Sequence, residues 1–421
     1  MFAAVAEGTS EIHYPGTGQD NLSTLSAMGQ LGVEATFDTP EHFTVVGRGP
    51  GALRAPSSPI DCGNSGTTAR LLSGLLSGAQ VLATLTGDES LSGRPMGRVA
   101  EPLRDIGYKV STSDSGTLPL TIEDSRPTDT EGVRAVLRVA SAQVKSCILL
   151  SGLYRDHTTE VVEPAVSRDH TERLLRAMGA RVSSSRHYMN PAKHAGDPEA
   201  PMVRLYPGST LRGRVLEVPG DPSSAAFLLA SGAINGNGVA VEAMAINPTR
   251  VRFLDVLERM GASFSIRARR ALTSGEPSAT VTVTRSALQT TEIRGFEVPL
   301  VIDEIPVLAV VGAAATGRFV VRDAKELRVK ESDRIATTIG LLNALGVTVE
   351  EHEDGFEFEG LGSACWEGFE FDCGDDHRIA MAAIVAALAA SDPSSLLGTE
   401  CVAVSFPEFG ETVEKLGGSF K

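Results

Sequence analysis

LDVLERMGASF (254–264) reads as three things in succession: the end of an amphipathic helix, a glycine that stops it, and the start of a β-like run. Glycine just past the last apolar helical residue takes a left-handed conformation at no steric cost, which makes it the usual helix stop. The same phrase recurs as LSAMGQLGVEATF (25–37), EPLRDIGYKV (101–110), ERLLRAMGARV (172–182), GLLNALGVTVE (340–350) and ETVEKLGGSF (411–420). The stopping glycines are Gly32, Gly107, Gly179, Gly261, Gly346 and Gly417, spaced 71 to 85 residues apart. Six helix-stop-strand units at a near-constant period point to an internal repeat.

Working outward, each stop follows a second, more apolar helix rich in small residues. These are MFAAVAEG (1–8), SGTTARLLSGLLSG (65–78), SAQVKSCILLSGL (141–153), DPSSAAFLLASGAING (221–236), IDEIPVLAVVGAAATG (302–317) and DHRIAMAAIVAALAAS (376–391). Their few charges predict burial on most of the circumference. Copies two to six open on polar residues, such as Asn64-Ser65-Gly66 and Asp376-His377-Arg378, whereas copy one begins at Met1 in what the others make mid-helix. The repeat therefore predicts that a strand and a helix start are absent from this N-terminus. Alternating apolar runs, among them HFTVVGRG (42–49), VLATLTG (81–87), PLTIED (119–124), RVLEVPG (214–220), ATVTVT (279–284), RFVVRDA (318–324) and GFEFEG (355–360), read as strands. The expected fold is α+β, with sheets outside and apolar helices inside. Three copies and three copies make two domains, 1–217 and 218–421, with a hinge near Val218-Pro219-Gly220; residues 184–201, without periodicity, read as a surface loop.

Composition narrows the function. A chain of 421 residues with 42% hydrophobic and 22% charged residues is ordinary globular material, long enough for two large cores. No apolar run of membrane-spanning length and no secretory signal is evident. Five cysteines (62, 147, 365, 373 and 401) form no CxxC pair and fit a reducing cytoplasm. A formal charge of −15 argues against nucleic-acid binding. It leaves room for a small anion held by a local group of cations.

Such a group is present. Arg94 and Arg98 in SGRPMGR, Arg168 in SRDHTE, Lys330 and Arg334 in RVKESDR and Arg378 in GDDHR sit at helix starts or just before the second-type helices, four of them at equivalent points of the repeat. Helix N-termini favour anions, and arginine grips carboxylate or phosphate bidentately. Lys330 and Arg334, spaced i, i+4, would share a helical face with Glu331 beside it, and the plainer reading is a solvent-facing helix start capped by Ser332 or Asp333. Asp303 lies in the apolar stretch VPLVIDEIPVLAVV (298–311). A carboxylate there is costly unless paired or used, so it is a candidate general base, and equally a cap for a helix over 304–317. His377 reads as a cap histidine and Cys147 as core. No HExxH spacing, Walker lysine or GxSxG elbow is present.

Over nearly the whole chain these residues resemble a known family. GNSGTTAR (63–70), GRPMGR (93–98), SAQVKS (141–146), SRDHTE (167–172), PGDPSSA (219–225), IDEIPVLAV (302–310), RVKESDR (328–334) and GDDHRIAMA (374–382) are similar, in order, to the signatures of the EPSP synthase (3-phosphoshikimate 1-carboxyvinyltransferase) family, closer to its class II branch. The resemblance implies an inside-out α/β barrel fold of six βαβαββ repeats in two domains that close around the substrates. It implies transfer of the enolpyruvyl group of phosphoenolpyruvate to the 5-hydroxyl of shikimate 3-phosphate, in a cytoplasmic monomer with no metal and no organic cofactor. Carried over residue by residue, Ser141, Ala142, Gln143, Arg168, Asp303 and Lys330 would hold shikimate 3-phosphate. Gly66, Arg94, Gln143, Arg334 and Arg378 would hold phosphoenolpyruvate. Asp303 would take the proton of the attacking hydroxyl, and Glu331 would serve proton traffic at the methylene carbon.

The pattern departs from the family in one place. Members open with a strand and a Pro-Gly-x-Lys-Ser-x-x-x-Arg segment that contacts both substrates, and this sequence starts just after it. The expectation is a late start codon or a truncated gene product, with weak binding and poor turnover. GNSGT around Gly66 resembles glyphosate-sensitive members. The rivals are a UDP-N-acetylglucosamine enolpyruvyl transferase, whose loop cysteine GDESLSGRPMG (87–97) lacks, and a non-catalytic paralogue that only binds ligand.

Overall fold

The computed structural model describes residues 1–125, 127, 131–185, 200–236, 238–284, 287–362 and 366–419. Cys365 and most of the loop expected at 184–201 lie outside these residues. The chain forms two units: Met1–Val218 with Leu272–Glu276, and Pro219–Ala271 with Pro277–Lys421. The excursion Leu272–Glu276 therefore belongs with the first unit although the sequence division placed it in the second.

Every repeat glycine stops a helix in the same way. The helices Gln19–Gln30, Gly97–Asp105, His170–Ala177, Arg252–Arg259, Arg334–Ala344 and Phe409–Lys415 each run out one residue before a C-cap, and the glycine that follows has φ between 81° and 101°. In the fourth copy Gly261 N–H donates to Glu258 O and Ala262 N–H to Leu257 O, both at 2.9 Å, and the other five copies repeat this pair of bonds. That paired closure satisfies two orphan carbonyls and is why the phrase is so legible. On Arg252–Arg259 the residues Phe253, Leu254, Val256 and Leu257 are buried while Asp255 and Glu258 face water, as the i, i+3, i+4 spacing requires.

The apolar helices form the middle of each unit. In the first, Gly66–Ala79 packs on Ala142–Gly152; in the second, Pro222–Asn235, Ile305–Ala313 and His377–Ala389 pack on one another. Four of the five carry a side-chain N-cap, from Ser65, Ser141, Asp221 and Asp376. The fifth does not. Its cap position is Glu304, which makes no capping bond, so Asp303 is not the cap expected of it, and the helix is shorter than 304–317. It ends at Ala313, and the strand Thr316–Val321 follows three residues on.

Six sheets lie around these helices, and no barrel closes among the described residues. Four are four-stranded with one pattern, of which Val133–Val136, Thr159–Val162, Met202–Leu205 and Val182–Ser184 is an example, side by side in that order. The first two strands are parallel, as a strand-helix-strand crossover demands, and the rest are antiparallel. The strands read from alternation all form.

One reading fails. MFAAVAEG (1–8) is not a helix: Ala3–Val5 is a single 3₁₀ turn and Glu7 already opens the strand Glu7–His13. The small residues that suggested a core helix are buried, but as a plug beneath the sheet. Glu7–His13 pairs antiparallel with His42–Arg48 and parallel with Val215–Glu217, so the sheet of the first repeat is completed from the far end of its own unit.

Candidate active site

In the second unit the predicted cations and carboxylates meet at the starts of three helices. Asp333 caps Arg334–Ala344, accepting from Ile335 N and Ala336 N at 3.1 Å each. The helix therefore begins at Arg334, and Lys330 and Glu331 precede it in a bend. The i, i+4 helical face expected for KESDR does not exist, and the start does not face solvent. Arg334 is only 1% exposed. Its Nε and Nη2 donate to the two oxygens of Asp376 at 2.8 and 3.2 Å, Nη2 also donates to Glu331 Oε2 at 2.6 Å, and Nη1 to Asp303 Oδ1 at 3.3 Å. Burial opposes this charge, but Asp376, Glu331 and Asp303 together hold the guanidinium pKa above its ordinary range.

Asp303 is the hub of the group. Lys330 Nζ and Arg378 Nε each lie 3.9 Å from its Oδ1, and Arg378 Nη1 donates to its carbonyl at 3.5 Å. Burial lowers the Lys330 pKa, and Asp303 only partly offsets that. Asp376, capping His377–Ala389 through Arg378 N, also accepts from Ser332 Oγ at 2.8 Å. Burial pushes its pKa up, but Arg334 prevails and holds the carboxyl well below the usual range. Burial, then Arg378 and Arg334, depress His377 to about 4, so it is neutral at pH 7. Behind this group Arg250 Nη2 donates to Asp221 Oδ1 at 2.6 Å and to Ser223 Oγ at 2.8 Å, and Ser223 in turn bonds Glu304.

In the first unit two helix starts are stitched together. Arg70 Nη1 donates to Gln143 Oε1 at 2.6 Å, and Gln143 Nε2 to Thr67 Oγ1 at 2.9 Å. Arg94 reaches the same corner, its Nη2 donating to Asn64 Oδ1 at 2.6 Å and to Ser90 Oγ at 3.0 Å. Gly66, Arg94, Ser141, Ala142 and Gln143 are thus brought together at the capped starts of Gly66–Ala79 and Ala142–Gly152. Arg168, half-buried, lies just ahead of His170–Ala177, and that helix is pinned to Ala142–Gly152 from below. There Lys145, 2% exposed, lies 2.9 Å from both Glu163 and Glu172, and Ser146 bonds Thr171 at 2.6 Å. Burial works against the Lys145 charge, but the two carboxylates outweigh it and raise its pKa. Burial pushes the Cys147 thiol up to about 12, which suits core rather than nucleophile.

Sequence reasoning missed Asp376, Arg70, Arg250 and the Lys145 triad as parts of these clusters. Asp376 had a signal, since it stands where Ser65, Ser141 and Asp221 stand in their copies. The others had none, because their partners are remote in sequence.

The two units of repeated helix-and-sheet modules, with cations gathered at core-helix starts, match the fold of the enolpyruvyl transferases. NikO from Streptomyces tendae, described as an enolpyruvyl transferase, superposes with a TM-score of 0.74 at 18% identity over 99% of this chain and 91% of its own, a likeness of fold. EPSP synthase from Acinetobacter baumannii superposes with a TM-score of 0.83 at 40% identity over the same shares. The family model for EPSP synthase (3-phosphoshikimate 1-carboxyvinyltransferase) matches residues 1–413. The 3-phosphoshikimate 1-carboxyvinyltransferases of Synechococcus sp. (strain JA-3-3Ab) and of Acidithiobacillus ferrooxidans (strain ATCC 53993 / BNL-5-31) are 42% and 44% identical over 99% of this chain, covering 90% and 92% of theirs. The chain belongs to the EPSP synthase family, and it is an enzyme, a transferase.

Proposed function

We propose that the reaction of this family runs on the two clusters just described: the enolpyruvyl group of phosphoenolpyruvate passes to the 5-hydroxyl of shikimate 3-phosphate, giving 5-enolpyruvylshikimate 3-phosphate and phosphate, a step toward chorismate and the aromatic amino acids. The observation that carries the reading is the balance of the second-unit group. Lys330, Arg334 and Arg378 are matched there by Asp303, Glu331 and Asp376. A phosphate or carboxylate entering such a neutral group favours a proton on one of its carboxylates. Asp303, in reach of all three cations that the entering anion would engage, is that carboxylate.

The attacking 5-hydroxyl bonds to C2 of phosphoenolpyruvate and gives its proton to Asp303, while C3 gains a proton. From the tetrahedral intermediate the C2–O bond to phosphate breaks, phosphate leaves, and C3 loses a proton to restore the double bond. Glu331, held at 2.6 Å by Arg334 Nη2, serves these transfers at C3. Asp376 clamps Arg334 so that Nη1, whose bond to Asp303 is long at 3.3 Å, is the donor that phosphoenolpyruvate takes over; Arg378 supplies the second cation. In the first unit Gly66, Arg94 and Gln143 are the residues assigned to phosphoenolpyruvate. The residues assigned to shikimate 3-phosphate are Ser141, Ala142, Gln143 and Arg168 of that unit and, in the second unit taken by itself, Asp303 and Lys330. The enzyme works as a cytoplasmic monomer, which sedimentation checks. Phosphate release from phosphoenolpyruvate tests the activity: it is expected with shikimate 3-phosphate and not with UDP-N-acetylglucosamine, and the reverse pattern, or silence with both, overturns the reading.

A further inference from the structure

We propose that the first unit carries a divalent transition-metal site, suited to Zn²⁺, built from Glu11, His13 and His42 on the outer face of its first sheet and separate from the clusters assigned to catalysis. Glu11 and His13 are two apart on Glu7–His13 and so share one face of the strand. His42 is the register partner of His13 on the antiparallel neighbour His42–Arg48. One ligand atom from each of the three lies within 4.8 Å of the others, and the two imidazole rings stand 4.7 Å apart between centroids. Ligands on a tetrahedral zinc with bonds of about 2.0 Å are roughly 3.3 Å apart, a change within the reach of small side-chain rotations.

His42 gives the independent observation. Asp38 Oδ2 lies 2.9 Å from its Nδ1 and is anchored by Thr44 Oγ1 at 3.0 Å. A carboxylate beside Nδ1 keeps the ring proton on that nitrogen, which donates to it, and leaves the Nε2 lone pair to bond something else. Yet Nε2 is shut off from solvent and has no hydrogen-bond partner. A buried imidazole nitrogen without a partner is costly, whereas carboxylate-to-histidine-to-metal is the arrangement that orients a metal ligand. Two imidazoles and one carboxylate are a donor set that zinc accepts. A second group, Glu350, His352 and Glu357, is a weaker claimant because Arg318 already bonds Glu357.

The test is a calorimetric titration of the chelator-treated chain with Zn²⁺, alongside Co²⁺ absorption to read the coordination. One ion per chain is expected, with a visible d–d band. Affinity should fall at least 100-fold in the His13→Gln/His42→Gln double variant and about 10- to 100-fold in Asp38→Asn. It should be unchanged in His352→Gln. Because a bound ion would tie two strands together, Zn²⁺ should also raise the melting temperature of the wild type but not of the double variant. Circular dichroism of the metal-free variants checks that they fold. Absence of Zn²⁺ binding by the wild type, binding that survives the double substitution, or loss of binding in His352→Gln overturns the proposal.

Discussion

Arg334 shows how much a single residue depends on partners that local sequence does not reveal. Its guanidinium and the Asp376 carboxylate are both 1% exposed, and each is the other's doubly hydrogen-bonded partner. Breaking a buried pair by removing one partner costs about 3–5 kcal/mol. Asp376→Asn should lose that order of stability in urea denaturation, and its affinity for phosphoenolpyruvate should fall with it. The pH dependence has a definite sign. Asp376 has a depressed folded pKa, so its contribution is present above about pH 4 and is lost as pH drops below the ordinary carboxylate range. His377 adds a slope in a higher window. Its folded pKa of about 4 lies below the ordinary 6.5, so the unfolded chain takes the proton first and stability falls between pH 6.5 and 4. His377→Gln should flatten that limb of the stability-against-pH curve, and an unchanged limb would contradict the burial described. The charges of KESDR were legible in the sequence as a candidate group, but their geometry was not. An i, i+4 spacing suggests a helix, and only the cap at Asp333 shows that the helix starts after Lys330 and Glu331.

At the scale of elements, the repeat was legible because its signal is local. A glycine two residues beyond the last helical residue, closed by two backbone bonds, needs nothing remote to form. The strands were legible through alternation, which reports one buried face. The stretch 1–8 misled because small apolar residues without a clear period fit a buried helix or a buried turn equally well. Packing between the core helices was not legible at all. A Cβ on Gly74 would lie 2.0 Å from the carbonyl oxygen of Cys147, so the helices Gly66–Ala79 and Ala142–Gly152 touch backbone to backbone there. Gly74→Ala should cost about 1–3 kcal/mol or more by overpacking, read as a lowered melting temperature. Lys145→Ala should cost about 3–5 kcal/mol, since it leaves Glu163 and Glu172 buried without their cation. Neither residue touches substrate in this account, so both effects should appear in stability before they appear in catalysis.

For the whole molecule, order and spacing of the motifs carried more than any one of them. KESDR alone reads as a surface helix start, whereas eight motifs in sequence define a family, and relatives at 42% and 44% identity agree with it. The excursion Leu272–Glu276 was beyond a sequence reading because it lies between the paired strands Ser263–Ala271 and Pro277–Thr284, yet its Glu276 lies 2.8 Å from His170 Nδ1 in the first unit. The central claim is that Asp303, among Lys330, Arg334 and Arg378, takes the proton of the attacking hydroxyl. A general base contributes roughly 10²- to 10⁴-fold to rate. The direct measurement is shikimate 3-phosphate-dependent release of phosphate from phosphoenolpyruvate by the 421-residue chain and by its Asp303→Asn variant, with shikimate 3-phosphate affinity measured on both. The account predicts a fall in kcat of about 100-fold or more with folding intact, beyond any change in that affinity. Equal kcat in the two proteins would contradict it.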